Sequence, residues 1–201
     1  MTRILRVDGQ APSSEALERA AAVLKRGGLV AFPTESFYGL GADALEPRAL
    51  ARVFAVKGRP ETKPLLVLVD SIAMAEGLVS EVPAEARALM ARWPAALTLV
   101  LKAAPRVPEQ LHAGTGTIGV RIPAHPVALG LVRAAGMAVT APSANPSGAE
   151  PPTTAGAVAG YFADALELIL DGGPTAGGAA STLVDCTVRP LRVLRHGPVA
   201  V

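Results

Sequence analysis

The sequence predicts an α/β protein: a single domain over residues 1–201, built on one twisted mixed β-sheet flanked by helices. Two observations predict it. Short apolar runs, bounded by Gly, Pro or polar residues, recur along the whole chain and have the character of buried strands. Segments with apolar residues at helical spacing lie between many of them, yet some strand-like runs follow one another directly. That irregular alternation favours a mixed sheet over a purely parallel, doubly wound one.

In chain order, residues 4–7 form a short strand. Ser13 or Ser14 caps a helix to about Arg26, with Leu17, Ala20, Ala21 and Leu24 on one face. Gly27 and Gly28 stop it, and residues 29–32 read as a buried strand ended by Pro33. Residues 34–43 read as a loop, with Gly39 and Gly41 permitting tight turns. Pro47 suits the first turn of a helix carrying Leu50, Val53, Phe54 and Lys57 on one stripe and ending at Gly58. A strand over 64–69 comes next, then helices near 72–79 and 84–93 and a strand over 96–101. Residues 103–116 are a loop, 117–122 a strand, and Pro126 opens a helix ending near Gly136. A strand over 137–141 leads into the polar turn 142–148. Thr153 or Thr154 caps a helix to about Phe162. Strands over 166–170, 181–185 and 191–195 complete the chain, with a loop over 171–180.

Composition narrows the function classes. Half of the 201 residues are hydrophobic and 18% are charged, ample for a core. Aromatics are 3% and scattered, which argues against a stacking platform for single-stranded nucleic acid. The net charge of +2 leaves phosphate binding to a few placed cations. The lone Cys186 excludes an internal disulfide framework and a cysteine-based zinc site. With no signal-peptide-like N-terminus and no run long enough to span a membrane, a soluble cytoplasmic protein is expected.

Standard glycine motifs fail on context. Gly114, Gly116 and Gly119 spell G-x-G-x-x-G, but a loop precedes and a strand follows. The stretch 172–179 has Gly178 where a P-loop needs lysine. The three histidines show no metal-ligand spacing. Ser143 lies in P-S-A-N-P, with no companion base.

Lys57 and Arg59, two residues apart at a helix end, are either a solvated terminus favoured by the helix dipole or an anion site. Loops at 34–41, 113–117, 142–148 and 172–182 are rich in Gly, Ser, Thr and Asn, and each adjoins a predicted strand. If those strand ends share one side of the sheet, the loops converge on a single crevice. Arg121 interrupts an apolar strand. It either faces solvent or, in the crevice, demands an anionic partner such as a carboxylate. Arg195 raises the same question at the last strand.

These residues sit in blocks that resemble the YrdC/Sua5 family, the threonylcarbamoyl-AMP synthases. The family's K-x-R and S-x-N signatures correspond to Lys57-Gly58-Arg59 and Ser143-Ala144-Asn145. The flanking blocks FPTESFYGLG, KGRPETKPLLVLV, TIGVRIPAHP, APSANPSG, STLVD and VLRHG match in order along nearly the whole chain. The resemblance implies a YrdC-like fold with a concave central crevice. It implies a nucleotidyltransferase that condenses L-threonine, bicarbonate and ATP into threonylcarbamoyl-AMP and pyrophosphate. That product feeds the N6-threonylcarbamoyl modification of adenosine 37 in tRNA through a downstream transferase complex. It further implies that Thr34, Arg121, Ala141 and Ser181 meet L-threonine. Lys57, Arg59, Thr117, Ser143, Asn145 and Arg195 form the ATP side, with Lys57, Arg59, Ser143 and Asn145 as the catalytic group. Mg2+ accompanies ATP, with no protein metal site and no tightly bound prosthetic group.

Three departures stand out. Many members carry a histidine on the strand after K-x-R, where this chain has Leu68. Members often carry Ser-Pro-Thr after the S-x-N loop, where this chain has Pro151-Pro152-Thr153. The chain resembles the short form, ending soon after Arg195. The alternatives are a non-catalytic relative that binds RNA or a nucleotide, with weak tRNA contact through phosphates, and a different carbamoyl-transfer enzyme.

Overall fold

A computed structural model describes residues 2–201. The elements are β1 (Arg3–Arg6), α1 (Ser14–Lys25), β2 (Val30–Pro33), β3 (Tyr38–Gly41), α2 (Pro47–Lys57), β4 (Leu66–Leu68), α3 (Ile72–Leu78), α4 (Ala84–Met90), β5 (Leu97–Lys102), α5 (Glu109–His112), β6 (Thr117–Arg121), α6 (Pro126–Ala135), β7 (Val139–Thr140), α7 (Ala155–Phe162), β8 (Leu168–Asp171), β9 (Thr182–Asp185) and β10 (Arg192–Arg195). The mixed α/β architecture is as expected, but the strands form two sheets. The smaller runs β1-β8-β2-β3 and the larger β10-β9-β5-β6-β4-β7. Both mix parallel and antiparallel pairs.

The two sheets nearly join. Ala44 N donates to Ala138 O, Thr140 N to Ala42 O, Leu40 N to Pro142 O and Ala144 N to Tyr38 O, so β3 and the chain through β7 exchange backbone hydrogen bonds along their edges. The seam is irregular for a chemical reason. Pro142 has no N–H to give. The Thr140 hydroxyl replaces a main-chain rung, accepting from Ala42 N and donating to Leu40 O, both at 3.0 Å.

Two expected loops contain structure. Within 34–43, β3 pairs antiparallel with β2, Phe32 opposite Gly39 and Val30 opposite Gly41. The glycines serve close packing: a Cβ on Gly41 would lie 2.7 Å from Phe32 Cε1 and 3.0 Å from Val139 Cγ1. Tyr38 and Leu40, which alternate with them along β3, are fully buried in the main core. Within 103–116 the single turn α5 appears.

Helix ends follow the local signals. Ser13 and Thr154 are the caps, accepting from Ala16 N and Ala157 N. Pro47 opens α2, and Gly58 closes it at φ 54°, a left-handed conformation that suits glycine.

Strand alternation divides the larger sheet into two faces. Ile118 and Val120 of β6, with Leu97, Leu99 and Leu101 of β5, enter the main core. Thr117, Gly119 and Arg121, with Thr98 and Val100, take the opposite face. A smaller core, in which α1 and α6 meet Val30, Phe32, Leu68 and Leu170, covers part of that second face. The uncovered remainder is the floor of a cavity. No helix among the described residues is long and apolar enough to cross a membrane.

Candidate active site

The cavity has a volume of about 560 Å³. β3 and residues 141–143 form one wall, β4 and β6 the floor, and residues 180–183 with β10 the opposite wall. Thr34, Arg59, Thr117, Arg121, Ala141, Ser143, Ser181 and Arg195 all line it, so the crevice read from the sequence exists. Lys57 and Asn145 are absent from the lining and lie buried behind it.

Lys57 is the last residue of α2 and is only 3% exposed. Its Nζ donates to the carbonyls of Ser143 and Asn145. Its own carbonyl accepts from Ser147 N at 2.7 Å. The lysine therefore ties α2 to the S-x-N turn and presents Ser143 to the cavity. Asn145 stiffens the same turn, donating to Pro146 O at 2.8 Å and Ala149 O at 2.9 Å. The two signature motifs, distant in sequence, form one clamp.

Burial, then the neighbouring Arg59 charge, pulls the Lys57 ammonium down from 10.5 to about 8. The linkage has a definite sign. Between about pH 8 and 10.5 the unfolded chain holds this proton while the folded chain releases it, so stability due to Lys57 rises with pH in that window. The expected slope is at most about 1.4 kcal/mol per pH unit. Denaturant unfolding of wild type and Lys57→Met between pH 7.5 and 9.5 reads it: the stability difference should move in favour of wild type as pH rises. A constant difference would mean that Lys57 does not titrate there.

Arg121 is 4% exposed. Its Nη2 lies 3.4 Å from Glu35 Oε2, while Arg121 Nε and Glu35 Oε2 are buried without a hydrogen-bond partner among the described residues. Burial lowers the guanidinium pKa, Glu35 opposes that, and Arg195 adds to it. Arginine nevertheless stays charged. Arg59 and Arg195 are also pulled down by burial. Three guanidinium groups thus line one cavity, and the one carboxylate paired with any of them among the described residues, Glu35 beside Arg121, is not among the lining residues. Glu35, whose Oε1 accepts from Ala124 N at 2.8 Å, was not singled out from the sequence. Its place next to Thr34 in the F-P-T-E block was the available signal, but a loop glutamate reads as solvated.

Arg59, Arg195 and Thr34 each have a defined support. Arg59 donates from Nη2 to Pro64 O at 2.8 Å and from Nε to Lys63 O at 3.2 Å. Arg195 donates from Nε to Ser181 O at 2.9 Å and from Nη2 to Ser181 Oγ at 3.2 Å. A register shift between Val193 and Arg195 re-aims β10 at this point, a common use of a bulge beside a site. Thr34 Oγ1 donates to Phe37 O at 2.7 Å.

The departures also have positions. Leu68 pairs directly with Arg121 across β4 and β6, is fully buried, and lies outside the cavity lining. It packs in the smaller core and offers Arg121 no acceptor. Pro151 lines the cavity with an apolar ring.

Fold and site together define a mixed α/β protein whose cavity gathers three guanidinium groups and several hydroxyls, a lining suited to an anion. The family model Sua5/YciO/YrdC, described as telomere recombination, matches residues 22–197. The chain belongs to that family. It is 46% identical over 179 residues to the threonylcarbamoyl-AMP synthase of Pyrococcus abyssi, covering 89% of this chain and 53% of that protein. It is 42% identical over 185 residues to the threonylcarbamoyl-AMP synthase of Bacillus subtilis, covering 91% and 54%. The chain thus spans about half the length of these curated relatives. Among solved structures, P. abyssi Sua5 complexed with L-threonine superposes with a TM-score of 0.93 at 43% identity, covering 96% of this chain and 57% of that one.

Proposed function

We propose that this chain is an L-threonylcarbamoyladenylate synthase, a nucleotidyltransferase that joins L-threonine, bicarbonate and ATP and releases pyrophosphate. The observation that carries the reading is the cavity itself, which brings Arg59, Arg121 and Arg195 together with Thr34, Ser143 and Ser181. The names of the P. abyssi and B. subtilis relatives, and the L-threonine complex of P. abyssi Sua5, support it.

The chemistry suits these residue types. The threonine amine adds to CO2 with loss of an amine proton, or condenses with bicarbonate with loss of water, and either route gives the N-carboxylate. Its oxygen attacks the α-phosphorus, and the bond to pyrophosphate breaks. No protein nucleophile is required, so the work is positioning and charge neutralisation. In this reading Arg121, through its two-pronged guanidinium, holds the α-carboxylate of threonine. Thr34, Ala141 and Ser181 complete the amino-acid end. Arg59, Arg195, Thr117 and Ser143 face the nucleotide, with Lys57 and Asn145 fixing the turn that carries Ser143. Among the described residues no three His, Cys, Asp or Glu side chains cluster at metal-binding distance. Mg2+ would arrive on the triphosphate oxygens, as it commonly does. The adenylate would pass to a downstream tRNA threonylcarbamoyl transferase.

Pyrophosphate release from ATP should depend on both L-threonine and bicarbonate. A coupled pyrophosphate assay with each omitted in turn tests this. Turnover indifferent to either co-substrate would defeat the proposal. Nucleotide binding without pyrophosphate release would favour the non-catalytic alternative.

A further inference from the structure

We propose that Thr98 is a positioning residue that sets the hydrogen-bond polarity of Ser181, committing the serine hydroxyl to donate into the cavity. The consequence for substrate recognition rests on reading the cavity as the amino-acid site; the polarity itself does not.

The argument counts protons. Among the described residues Ser181 Oγ has two hydrogen-bond partners: Arg195 Nη2 at 3.2 Å and Thr98 Oγ1 at 2.8 Å. A guanidinium only donates, so Arg195 uses one lone pair of Ser181. The Thr98–Ser181 contact runs either way on distance alone, but burial decides its direction. Thr98 is fully buried in β5, and Ser181 is the hydrogen-bond partner shown for its hydroxyl. Were Ser181 the donor, the Thr98 proton would be stranded in the interior, at a cost of about 1–3 kcal/mol. With Thr98 as donor that cost disappears. Ser181 Oγ then accepts twice, and its own proton points to the one side left, the cavity that it lines.

Thr34 has the opposite polarity. Its proton is spent on Phe37 O at 2.7 Å, so toward a ligand its oxygen can only accept. The cavity therefore carries one hydroxyl that accepts and one that donates. A small zwitterion fits this pair: an ammonium or hydroxyl hydrogen against Thr34, and a carboxylate or hydroxyl oxygen against Ser181. Thr98 touches neither. It acts by holding the Ser181 rotor and by strengthening, through its own donation, the bond that Ser181 gives.

Neutron diffraction on crystals of the unliganded protein locates the hydrogens. The expected position of the shared proton is on Thr98 Oγ1. Density on Ser181, directed at Thr98, overturns the proposal whatever the ligand proves to be. Calorimetric titration with L-threonine reads the consequence. Thr98→Val, which keeps the shape and loses the donor, should weaken L-threonine binding about five- to tenfold. Affinity for a non-hydrolysable ATP analogue should stay within about twofold, since a lost hydrogen bond acts only on the group it supports. Thr98→Ser, which restores the donor, should recover L-threonine binding. Unchanged L-threonine binding in Thr98→Val, or no recovery in Thr98→Ser, overturns the assignment. A wild-type protein that does not bind L-threonine would defeat the functional reading, while the hydrogen positions would still decide the polarity of Ser181.

Discussion

Arg121→Ala is expected to raise the L-threonine concentration needed for half-maximal pyrophosphate release by about a hundredfold or more, with a much smaller change for ATP. The guanidinium is 4% exposed, its Nε has no hydrogen-bond partner among the described residues, and its only ion-pair contact there is Glu35 at 3.4 Å. A carboxylate reaching this cation displaces little competing interaction and gains two parallel charge-assisted bonds. Removing the arginine also strands Glu35 in a partly buried position, repelling the substrate carboxylate. Arg121→Lys separates these effects. It keeps the charge near Glu35 but loses the planar fork, and should recover only part of the loss. Steady-state kinetics with L-threonine and ATP varied separately decide the matter. A larger effect on the ATP requirement would reverse the assignment of the two ends of the cavity.

Lys57→Met is expected to reduce turnover by a hundredfold or more and to destabilise the protein as well. The stability loss follows from the clamp. Met matches the length of the side chain but leaves the carbonyls of Ser143 and Asn145 without their buried donor. An unsatisfied buried group costs about 1–3 kcal/mol. Relief of ammonium desolvation offsets part of this, since burial already penalises the charged form. A net loss of roughly 1–3 kcal/mol lowers the midpoint of thermal unfolding by about 3–10 °C in a chain of this size. The turnover loss follows from Ser143, which a freed turn no longer holds in the wall. Thermal unfolding and pyrophosphate assays on the same sample test both halves. Lost activity with unchanged unfolding would mean that Lys57 serves the phosphates directly, as the K-x-R resemblance first suggested, and not through the turn.

Much of the molecule was legible in the chain. The apolar runs became strands, and Pro47, Gly58, Gly136 and the Ser and Thr caps marked helix ends. Those signals are local, since each depends on residues within a few positions. The misreading of β3 has a specific cause. Gly39 and Gly41 signal turns when only neighbours in sequence are considered, but their reason is Phe32 in the adjacent strand. The division into two sheets escaped for a similar reason: it hinges on Pro142 and the Thr140 hydroxyl meeting the edge of β3.

For the site, eight of the ten residues singled out line the cavity, because the motif blocks carry them as a set. The chain also posed the choice for Arg121 between solvent and crevice, and for Lys57 between a dipole-favoured helix end and a ligand contact. Neither choice could be made there. Arg121 is buried because α1 and α6 cover the neighbouring part of its sheet face and Glu35 arrives from the β2–β3 connection. Lys57 is buried because the 143–147 turn folds over the end of α2. The sequence by itself determined the elements, their caps and the residue types that gather at the site, since local sterics and hydrophobic period act over short separations. Only the tertiary structure decided which cations face the cavity, which hold its wall, and which hydroxyl donates. Those outcomes depend on desolvation and on hydrogen-bond partners that lie dozens of residues away along the chain.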